Sequence, residues 1–450
     1  MGYAWPASRL SVSCHRNVAL PNASTEDFTR LVKPDRVHRR VYADPAVFAV
    51  EMDRVFGRAW IYVAHESQVR REGDWVATTL AGRPVVVVRH SDGSVRVLHN
   101  RCGHRGAIVA AGARGTVKTF QCSHHGWTFH TDGAFDTMPA REGYDGTAFD
   151  PAGAESGMPP VARVASYRGF VFASLAANGP TLADFLGPVA RSLDNMVDRS
   201  PEGEIEIAGG SFQLLHRNNW KIYLENLQDG VHALPTHQST FEPARQAARE
   251  ATDPLSKMQA EAIAANSQPP RAMAELQVLC HPHGHSEMMA FRRSRAATPE
   301  YEAYERLLAA RLGPERMEAV FGRDRHNAAI YPGMTVQPAY MQLRRLVPLA
   351  VDRTRLDVWT FRLKGAPDSI NRRNIAYANA IHSPASLVRA DDMENFERTQ
   401  RGLASDASGW VNQQRGFASE REPSGVSSAM SERYARNQFA AWCDYMKEQA

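Results

Sequence analysis

The sequence predicts a two-domain protein in which a mostly-β domain precedes a domain of the α+β class. Short β-branched or apolar runs, separated by turn signals, occupy residues 74–172. A Gly-Pro pair within Asn178–Thr181 predicts a linker, after which helical patterns at Glu300–Phe321 and Met430–Glu448 alternate with further strand-like runs. With 450 residues and 43% hydrophobic composition, the chain is long and apolar enough for two buried cores.

The first domain should be a small antiparallel barrel or sandwich, because turns such as Ser91-Asp92-Gly93 and Thr131-Asp132-Gly133 separate its strands. Its predicted strands are 75–80, 83–89, 95–98, 116–121 and 169–174. In the second domain we expect strands at 211–216, 334–344 and 356–363. The expected boundaries are 1–47 for an N-terminal segment that packs with the second domain, 48–177 for the first domain and 178–450 for the second.

Composition excludes several classes of protein. Lys and Arg outnumber Asp and Glu by only four and are scattered, so we expect no nucleic acid partner. The chain has no apolar run of about 18 residues, and residues 1–22 do not resemble a secretory signal, so we expect no membrane segment. Five cysteines are too few, and the wrong parity, for a disulfide framework, which favours the cytoplasm.

Two short motifs each offer one cysteine and one histidine. They are Cys102-Gly103-His104 and Cys122-Ser123-His124-His125, with seventeen residues between His104 and Cys122. Each motif follows a predicted strand and lies on a turn, so two hairpin tips that point the same way would present two thiolates and two imidazoles to one centre. The glycines around them allow the close backbone approach that sulfur clusters require.

Two metal groups fit this set: a structural zinc ion, or a two-iron two-sulfur cluster with cysteines on one iron and histidines on the other. A zinc finger pairs cysteine with cysteine and histidine with histidine along the chain, whereas each motif here mixes the two types. The spacing therefore favours the cluster. Because neutral imidazoles replace two thiolates, its potential lies in the range of about −150 to +300 mV, and it can accept electrons from a more reducing carrier.

A second pair of histidines, His232 and His237, follows a run that is predicted to be helical from Asn219 to His232. Within that run Asn226, Asp229 and His232 recur every three residues and should share one helix face.

His237 lies five residues beyond His232, which on an uninterrupted helix would turn it about 140° away. Pro235 disfavours helix just before itself and would let His237 swing back. Two histidines with a carboxylate and open positions opposite form the facial triad of non-haem iron oxygenases. Taken alone, the two residues can also be ordinary helix and loop histidines.

With these motifs the sequence resembles the Rieske non-haem iron oxygenases, specifically the large (alpha) subunits of ring-hydroxylating dioxygenases. The first match runs through Cys102-x-His104-Arg105-Gly106 and Cys122-x-x-His125-Gly126-Trp127. It implies that Cys102 and Cys122 hold one iron of a 2Fe-2S cluster while His104 and His125 hold the other. The neighbouring His124 is expected to point away from the cluster.

The run from Asn219 through His237 is similar to the second signature of these subunits, which implies a mononuclear Fe(II) on His232 and His237. The segment Arg389-Ala390-Asp391-Asp392-Met393-Glu394-Asn395 resembles the acidic stretch that supplies the third ligand, and the match assigns Asp392. Many relatives carry a Glu shortly before the acidic pair, whereas here Arg389 and Ala390 precede it, so Asp391 is the neighbouring alternative.

Asn226 and Asp229 are the candidate catalytic residues beside this iron. The resemblance implies that Asp229 accepts the ring N–H of His232 on one side and that of His125 from a neighbouring subunit on the other. It also implies a trimer of large subunits, alone or with three small beta subunits.

The fold that the resemblance implies is a Rieske domain inserted before a catalytic domain of the helix-grip type with a central antiparallel sheet. Its activity would be hydroxylation of an aromatic compound or aromatic acid with dioxygen. No glycine fingerprint for a nicotinamide cofactor is present, so a ferredoxin and/or an NAD(P)H-dependent reductase must deliver the electrons. The alternatives are O- or N-dealkylation by the same metals, and a pure electron-transfer Rieske protein.

Roles can also be predicted for a histidine-rich segment, for the segment that should determine specificity and for two further cysteines. Cys280-His281-Pro282-His283-Gly284-His285 is expected to form a turn into a strand that lines the substrate pocket, rather than a third metal site. Specificity should reside in Gln246–Arg292, which contains no recognisable substrate signal. Cys14 and Cys443 are expected to be structural or incidental.

Overall fold

The computed structural model of the protein describes residues 27–153, 155–264, 270–289, 298–322, 327–420 and 425–447. Cys14 and most of the expected N-terminal segment 1–47 lie outside these residues. Among the helices that are described, none combines the length and the apolar composition needed to cross a bilayer.

Short strands dominate the chain up to residue 177. The helices there are α1 (Arg40–Ala43) and α2 (Pro45–Arg54), and the strands are β1 (Val32–Lys33), β2 (Arg36–His38), β3 (Ile61–His65), β4 (Asp74–Leu80), β5 (Arg83–Arg89), β6 (Val95–His99), β7 (Arg114–Thr116), β8 (Phe120–Gln121), β9 (Thr128–Phe129), β10 (Arg163–Tyr167) and β11 (Phe170–Ser174). Antiparallel sheets form in the orders β6-β5-β4-β7 and β10-β11-β3, and β8 pairs with β9.

Helices and strands mix after residue 177. The helices are α3 (Leu182–Leu186), α4 (Ala190–Asp198), α5 (Trp220–Leu227), α6 (Ala233–Glu250), α7 (Pro254–Ala264), α8 (Pro270–Ala274), α9 (Pro299–Leu312), α10 (Pro314–Phe321), α11 (Asp368–His382), α12 (Leu387–Leu403) and α13 (Arg433–Met446). The strands are β12 (Ile205–Ile207), β13 (Phe212–His216), β14 (Gln277–Cys280), β15 (Ser286–Met289), β16 (Asn327–Ile330), β17 (Met334–Gln337), β18 (Gln342–Ala350), β19 (Arg353–Leu363), β20 (Trp410–Asn412) and β21 (Val426–Ser428).

A single antiparallel sheet organises the second part of the chain. In the described residues it runs β12-β19-β18-β17-β16-β15-β14-β21, and β13 also pairs with β19. Helices α5, α11 and α12 each contact this sheet, and α12 also contacts α5 and α11. The expected α+β class with a central antiparallel sheet is thus confirmed. The sheet and these helices enclose the cavity described below.

The N-terminal residues pair with the distal part of the chain. Strand β2 lies between β1 and β20, so Arg36–His38 is bonded in register to Trp410–Asn412. The buried carboxylate of Glu51 on α2 accepts hydrogen bonds from Lys221, Trp220 and Trp442. These contacts join α2 to helices α5 and α13.

Three predicted elements are each broken in the structure. The strand expected at 116–121 is two short strands, β7 and β8. The strand expected at 334–344 is a hairpin, because a 3-10 turn at Pro338–Tyr340 and a left-handed Met341 (φ 55°) separate β17 from β18. The helix expected at Glu300–Phe321 is divided into α9 and α10 at Gly313, whose φ of 80° favours glycine.

Two candidate metal centres

Two loops of the first domain have the same backbone hydrogen bonds. In the first, Cys102 N–H donates to the Ala107 carbonyl and Gly106 N–H donates to the Cys102 carbonyl. In the second, Cys122 N–H donates to the Trp127 carbonyl and Gly126 N–H donates to the Cys122 carbonyl. Gly106 and Gly126 both have a φ of 75°, a conformation that glycine adopts without strain. The two loops therefore present equivalent Cys-to-His segments.

The side chains of these loops fit a two-iron cluster. Cys102 and Cys122 are free thiols, each 2% exposed. The rings of His104 and His125 lie 4.6 Å apart, and His104 stacks on Trp127. The Nδ1 atom of His104 is buried and has no hydrogen-bond partner in the described structure, as expected for a nitrogen that faces a metal.

The electrostatics of the loops favour the ligand forms of these groups. Burial raises the pKa of the Cys102 thiol, while the backbone N–H groups of His104 and Arg105 point at the sulfur and favour the thiolate. Burial and neighbouring positive groups lower the pKa values of His104 and His125, which keeps both imidazoles neutral. His124 is exposed, and its ring lies 3.8 Å from that of His125.

The predicted helix from Asn219 to His232 is shorter than expected. Helix α5 begins after the Asn219 cap and ends at Leu227. The next residue, Gln228, is non-helical (φ −116°, ψ 8°), and beyond it Gly230 N–H donates to Ala429 O at 2.9 Å instead of to a carbonyl of the helix. Asp229 and His232 therefore lie in the turn after α5, not on one helix face with Asn226.

Pro235 was expected to interrupt the helix before His237, but it does not. It lies in the first turn of α6, where a proline is tolerated because its missing N–H has no helical partner. The irregularity occurs at His237 itself, whose φ of −106° and ψ of 17° interrupt the helix. This kink turns the His237 ring towards His232, so the expected convergence of the two histidines is observed by another route.

His232, His237 and Asp392 converge in the second domain. Their nearest ligand atoms all lie within 4.8 Å of one another. Nε2 of His237 is 3.3 Å, and Nε2 of His232 3.8 Å, from Oδ1 of Asp392. The Asn226 amide reaches both His232 Nε2 (3.2 Å) and Asp392 Oδ1 (3.3 Å). Two imidazoles and one carboxylate in this arrangement suit a ferrous ion.

Asp391, the alternative acid, faces the other side of His237. Its Oδ2 lies 3.3 Å from Nδ1 of His237 and accepts a hydrogen bond from Thr240 at 3.1 Å. A carboxylate on Nδ1 fixes the imidazole tautomer and directs Nε2 towards the metal position. The structure therefore brings Asp392 into the histidine group and places Asp391 behind it.

Charges around this group stabilise an ionised carboxylate. Burial alone would raise the pKa of Asp392, but the hydrogen bond from His237 and the charge of Arg389, 3.6 Å away, hold it below its usual value. Burial likewise opposes protonation of His237, yet the two aspartates raise its pKa. For His232 burial dominates and lowers the pKa.

Asp229 was expected to accept the ring N–H of His232, but in the described structure it has other partners. Its Oδ1 accepts the Val231 N–H at 2.7 Å and its Oδ2 lies 3.1 Å from Arg415 Nη2. Nδ1 of His232 is buried without a hydrogen-bond partner in the described structure. The Asp229 side chain is about one-fifth exposed and also lines the cavity described below.

A cavity of about 170 Å³ opens beside the His232, His237 and Asp392 group. Its apolar lining is Leu227, Met273, Leu276, Met288, Ile381 and Val388. Met273, Leu276 and Met288 fall within the expected specificity segment. The polar lining includes Arg344 and His382, which were not predicted from the sequence. It also includes Arg389, which was named only as a neighbour of the two acids. The one sequence signal was an arginine pair in an otherwise apolar strand, Arg344-Arg345.

The histidine-rich segment 280–285 forms a turn, as expected, between β14 and β15. His285 is fully engaged in the core: its Nδ1 accepts the Tyr331 N–H and its Nε2 donates to the Phe185 carbonyl. Nε2 of His281 lies 2.9 Å from the buried Glu287. These contacts assign structural roles to both histidines.

Comparison with known proteins agrees with this architecture. Residues 59–168 match the Rieske [2Fe-2S] domain, and residues 207–448 match the ring hydroxylating alpha subunit (catalytic domain). The chain is 32% identical to toluate 1,2-dioxygenase subunit alpha of Pseudomonas putida, over 82% of this chain and 79% of that protein. It is 29% identical to the anthranilate 1,2-dioxygenase large subunit of Acinetobacter baylyi, over 85% of this chain and 80% of that protein.

A solved structure shares the fold. The crystal structure of naphthalene 1,2-dioxygenase from Rhodococcus sp. bound to indole superposes with a TM-score of 0.77 at 24% identity, covering 91% of this chain and 94% of that chain. The two matched domains imply a Rieske cluster and a mononuclear iron, and an oxidoreductase that incorporates dioxygen. The chain therefore belongs to the Rieske non-haem iron oxygenases, as a large (alpha) subunit of the ring-hydroxylating dioxygenase type.

Proposed function

We propose that this chain is the terminal oxygenase of a multicomponent system that hydroxylates a small aromatic compound. The observation that carries the proposal is the convergence of His232, His237 and Asp392 on a ring-sized cavity whose wall combines apolar and polar side chains. The similar proteins from Pseudomonas putida and Acinetobacter baylyi are named for the oxidation of toluate and anthranilate, which supports an aromatic substrate.

In this proposal the two loops of the first domain hold the cluster. Cys102 and Cys122 bind one iron, and His104 and His125 bind the other. The matched loop geometry, the buried thiols and the unpartnered Nδ1 of His104 support this division. Because His125 is exposed, electrons can reach or leave the cluster at its histidine end.

The second domain holds the mononuclear iron on His232, His237 and Asp392. Ferrous iron held by two histidines and one carboxylate supplies the oxygen chemistry of non-haem oxygenases. Asn226 positions His232 and Asp392 through its amide, and Asp391 fixes the ring of His237. The apolar side chains of the cavity wall provide a contact surface for the ring of the substrate.

The partners follow from the redox chemistry. The oxygenase takes electrons from a ferredoxin and/or an NAD(P)H-dependent reductase, and large subunits assemble as a trimer, alone or with small beta subunits. Within the described residues no hydrogen bond is made to the His125 ring, and Asp229 stays partly exposed. These two features support a bridge from Asp229 to His125 of the partner subunit. We place the protein in the cytoplasm.

The test is a product screen with isotopically labelled dioxygen, a surrogate ferredoxin and its reductase, and a panel of arenes and aromatic acids. The proposal expects labelled oxygen on the ring of at least one compound, with iron-depleted enzyme as the control. Formation of only demethylated products from methoxy- or N-methylarenes would assign dealkylation. Electron transfer without oxygen incorporation into any compound would contradict an oxygenase.

A further inference from the structure

The cavity beside the iron group is sized for one ring. An apolar cavity of about 150 Å³ holds one benzene molecule, and the volume of this cavity is about 170 Å³. The apolar side chains account for only part of the wall, since polar groups from β18, α11 and α12 form the rest.

Arg344 brings an unbalanced positive charge to this wall. It lies on β18, lines the cavity and is only 4% exposed. Its one hydrogen bond in the described structure is weak, from Nη2 to Asn327 Oδ1 at 3.4 Å, and its Nε is buried with no partner. Within the described ranges no carboxylate forms an ion pair with it. A guanidinium stays protonated, so the charge cannot be removed by deprotonation.

Two other buried cations have shorter bonds to their partners, although the Nε of Arg345, like that of Arg344, has no partner in the described structure. Arg345, the next residue on β18, points to the opposite face and donates to Thr78 and Thr79. Lys221 is bonded to Glu51 at 2.5 Å. Arg344 differs from both in having a single long hydrogen bond and in facing the cavity, where a ligand with a negative charge can become its partner.

His382 places a second donor in the same cavity. Its Nδ1 lies 2.7 Å from Nη2 of Arg389, and because a guanidinium only donates, this nitrogen accepts. The ring proton is therefore on Nε2, which is buried without a partner. Burial, together with the charges of Arg344 and Arg389, holds the pKa of His382 well below its usual value, so the ring is neutral.

We propose that the substrate is a single-ring aromatic carboxylate, whose carboxylate is bound by Arg344 with the Nε2–H of His382 as an additional donor. This inference rests on the proposed function and specifies the substrate class of its site. The planar fork of a guanidinium matches the two oxygens of a carboxylate, and a dry pocket strengthens the bond. A neutral arene would leave the Arg344 charge unpaired.

The test measures binding separately from turnover. Anaerobic titration calorimetry on the iron-loaded oxygenase compares benzoate, 2-hydroxybenzoate, 2-aminobenzoate and 4-methylbenzoate with the corresponding neutral amides. We expect at least one acid to bind at least 100-fold more tightly than its amide. In Arg344→Met that preference should fall to within a few-fold, whereas Arg344→Lys should keep part of it because the charge remains without the fork.

Arg353→Met is the matched control, because Arg353 is the first residue of β19, is about half exposed and does not line the cavity, so its loss removes one positive charge elsewhere. This variant should bind like the wild type. Cluster absorption and iron content verify that each variant is folded and loaded, and the comparison of acids with amides on the wild type alone does not depend on any variant.

The outcomes separate this inference from the proposed function. Equal affinity of the wild type for all four acids and their amides, or unchanged acid affinity in Arg344→Met, would overturn the carboxylate site even if neutral arenes are hydroxylated. Arg344-dependent binding of an acid that is never oxygenated would support the carboxylate site and contradict the proposed reaction.

Discussion

The carboxylates of Asp391 and Asp392, adjacent in the chain, lie against opposite nitrogens of one imidazole: Asp391 Oδ2 is 3.3 Å from Nδ1 of His237, and Asp392 Oδ1 is 3.3 Å from Nε2. Consecutive helical residues point about 100° apart, so one acid can face the metal position while its neighbour supports the ring from behind. The histidine is thereby held on both sides by α12.

This arrangement predicts that Asp→Asn substitutions at Asp391 and Asp392 have different effects on iron binding. Asp392→Asn should remove the mononuclear iron and oxygenation, since the carboxylate itself is the proposed ligand. Asp391→Asn should retain iron but weaken its affinity by about ten- to a hundredfold, because only the support of His237 is altered. Iron per cluster, measured across a chelator titration, checks both. The reverse pattern would move the ligand back by one residue.

The cluster assignment predicts a colour and a spectrum. The purified protein should be brown, with a rhombic electron paramagnetic resonance signal after reduction, and Cys122→Ser should lose both because one thiolate ligand is gone. Cys443→Ser is the control, as that thiol lies on α13 near the Thr29 carbonyl and not in either loop. Stoichiometric zinc without acid-labile sulfide would show that the Rieske assignment is wrong.

Asp229 is expected to control electron transfer between the two metal centres. Asp229→Asn should preserve the cluster and most of the iron but slow cluster oxidation at least tenfold in a single turnover with substrate and oxygen, because a neutral amide is a weaker acceptor than a carboxylate. The control Arg415→Gln removes the partner of Asp229 in this chain but keeps the carboxylate.

Wild-type rates in Asp229→Asn would refute the bridging role. A strictly monomeric enzyme that remained active would refute the bridge to His125 of the partner subunit.

Acid should destabilise the protein through buried neutral histidines. Burial lowers the pKa of His65 to about 4 and that of His285 to about 3, from an ordinary value near 6.5. Between the folded and unfolded values the unfolded chain binds more protons, so the free energy of unfolding falls as the pH drops below about 6.5, by at most about 1.4 kcal/mol per pH unit for each histidine.

The measurement is urea unfolding of wild type and His285→Gln at pH 7.0, 6.0 and 5.0. The variant should be less stable at pH 7.0, because the bonds to Tyr331 and Phe185 are disturbed, but should lose less stability on acidification. Parallel pH slopes for the two proteins would contradict the assignment of His285 as a buried neutral group.

The sequence motifs were most informative where the functional residues are local. The Cys-His loops lie on turns after strands, as predicted, because tight turns and ligand spacing are short-range properties. His232 and His237 converge as predicted, although the predicted helix from Asn219 to His232 was too long. The segment after Leu227 instead contacts a distant part of the chain, where Gly230 packs against Ala429, and no local pattern reveals that contact.

Long-range contacts explain what could not be predicted. Asp392 was assigned only through the family resemblance, since 166 residues separate it from Asn226. Arg344 and His382 line the same cavity because β18 and α11 both form part of its wall. An arginine in an apolar strand does not by itself tell which face it occupies, and Arg345 beside it serves the opposite face.

The most direct test of the two-centre account is a metal and activity measurement on His232→Ala. The account predicts an unchanged cluster absorption and reduced-state spectrum, loss of the mononuclear iron and loss of oxygen incorporation, because His232 belongs to the second domain and the cluster loops lie in the first. A variant that lost both metals, or that kept hydroxylating its substrate, would contradict it.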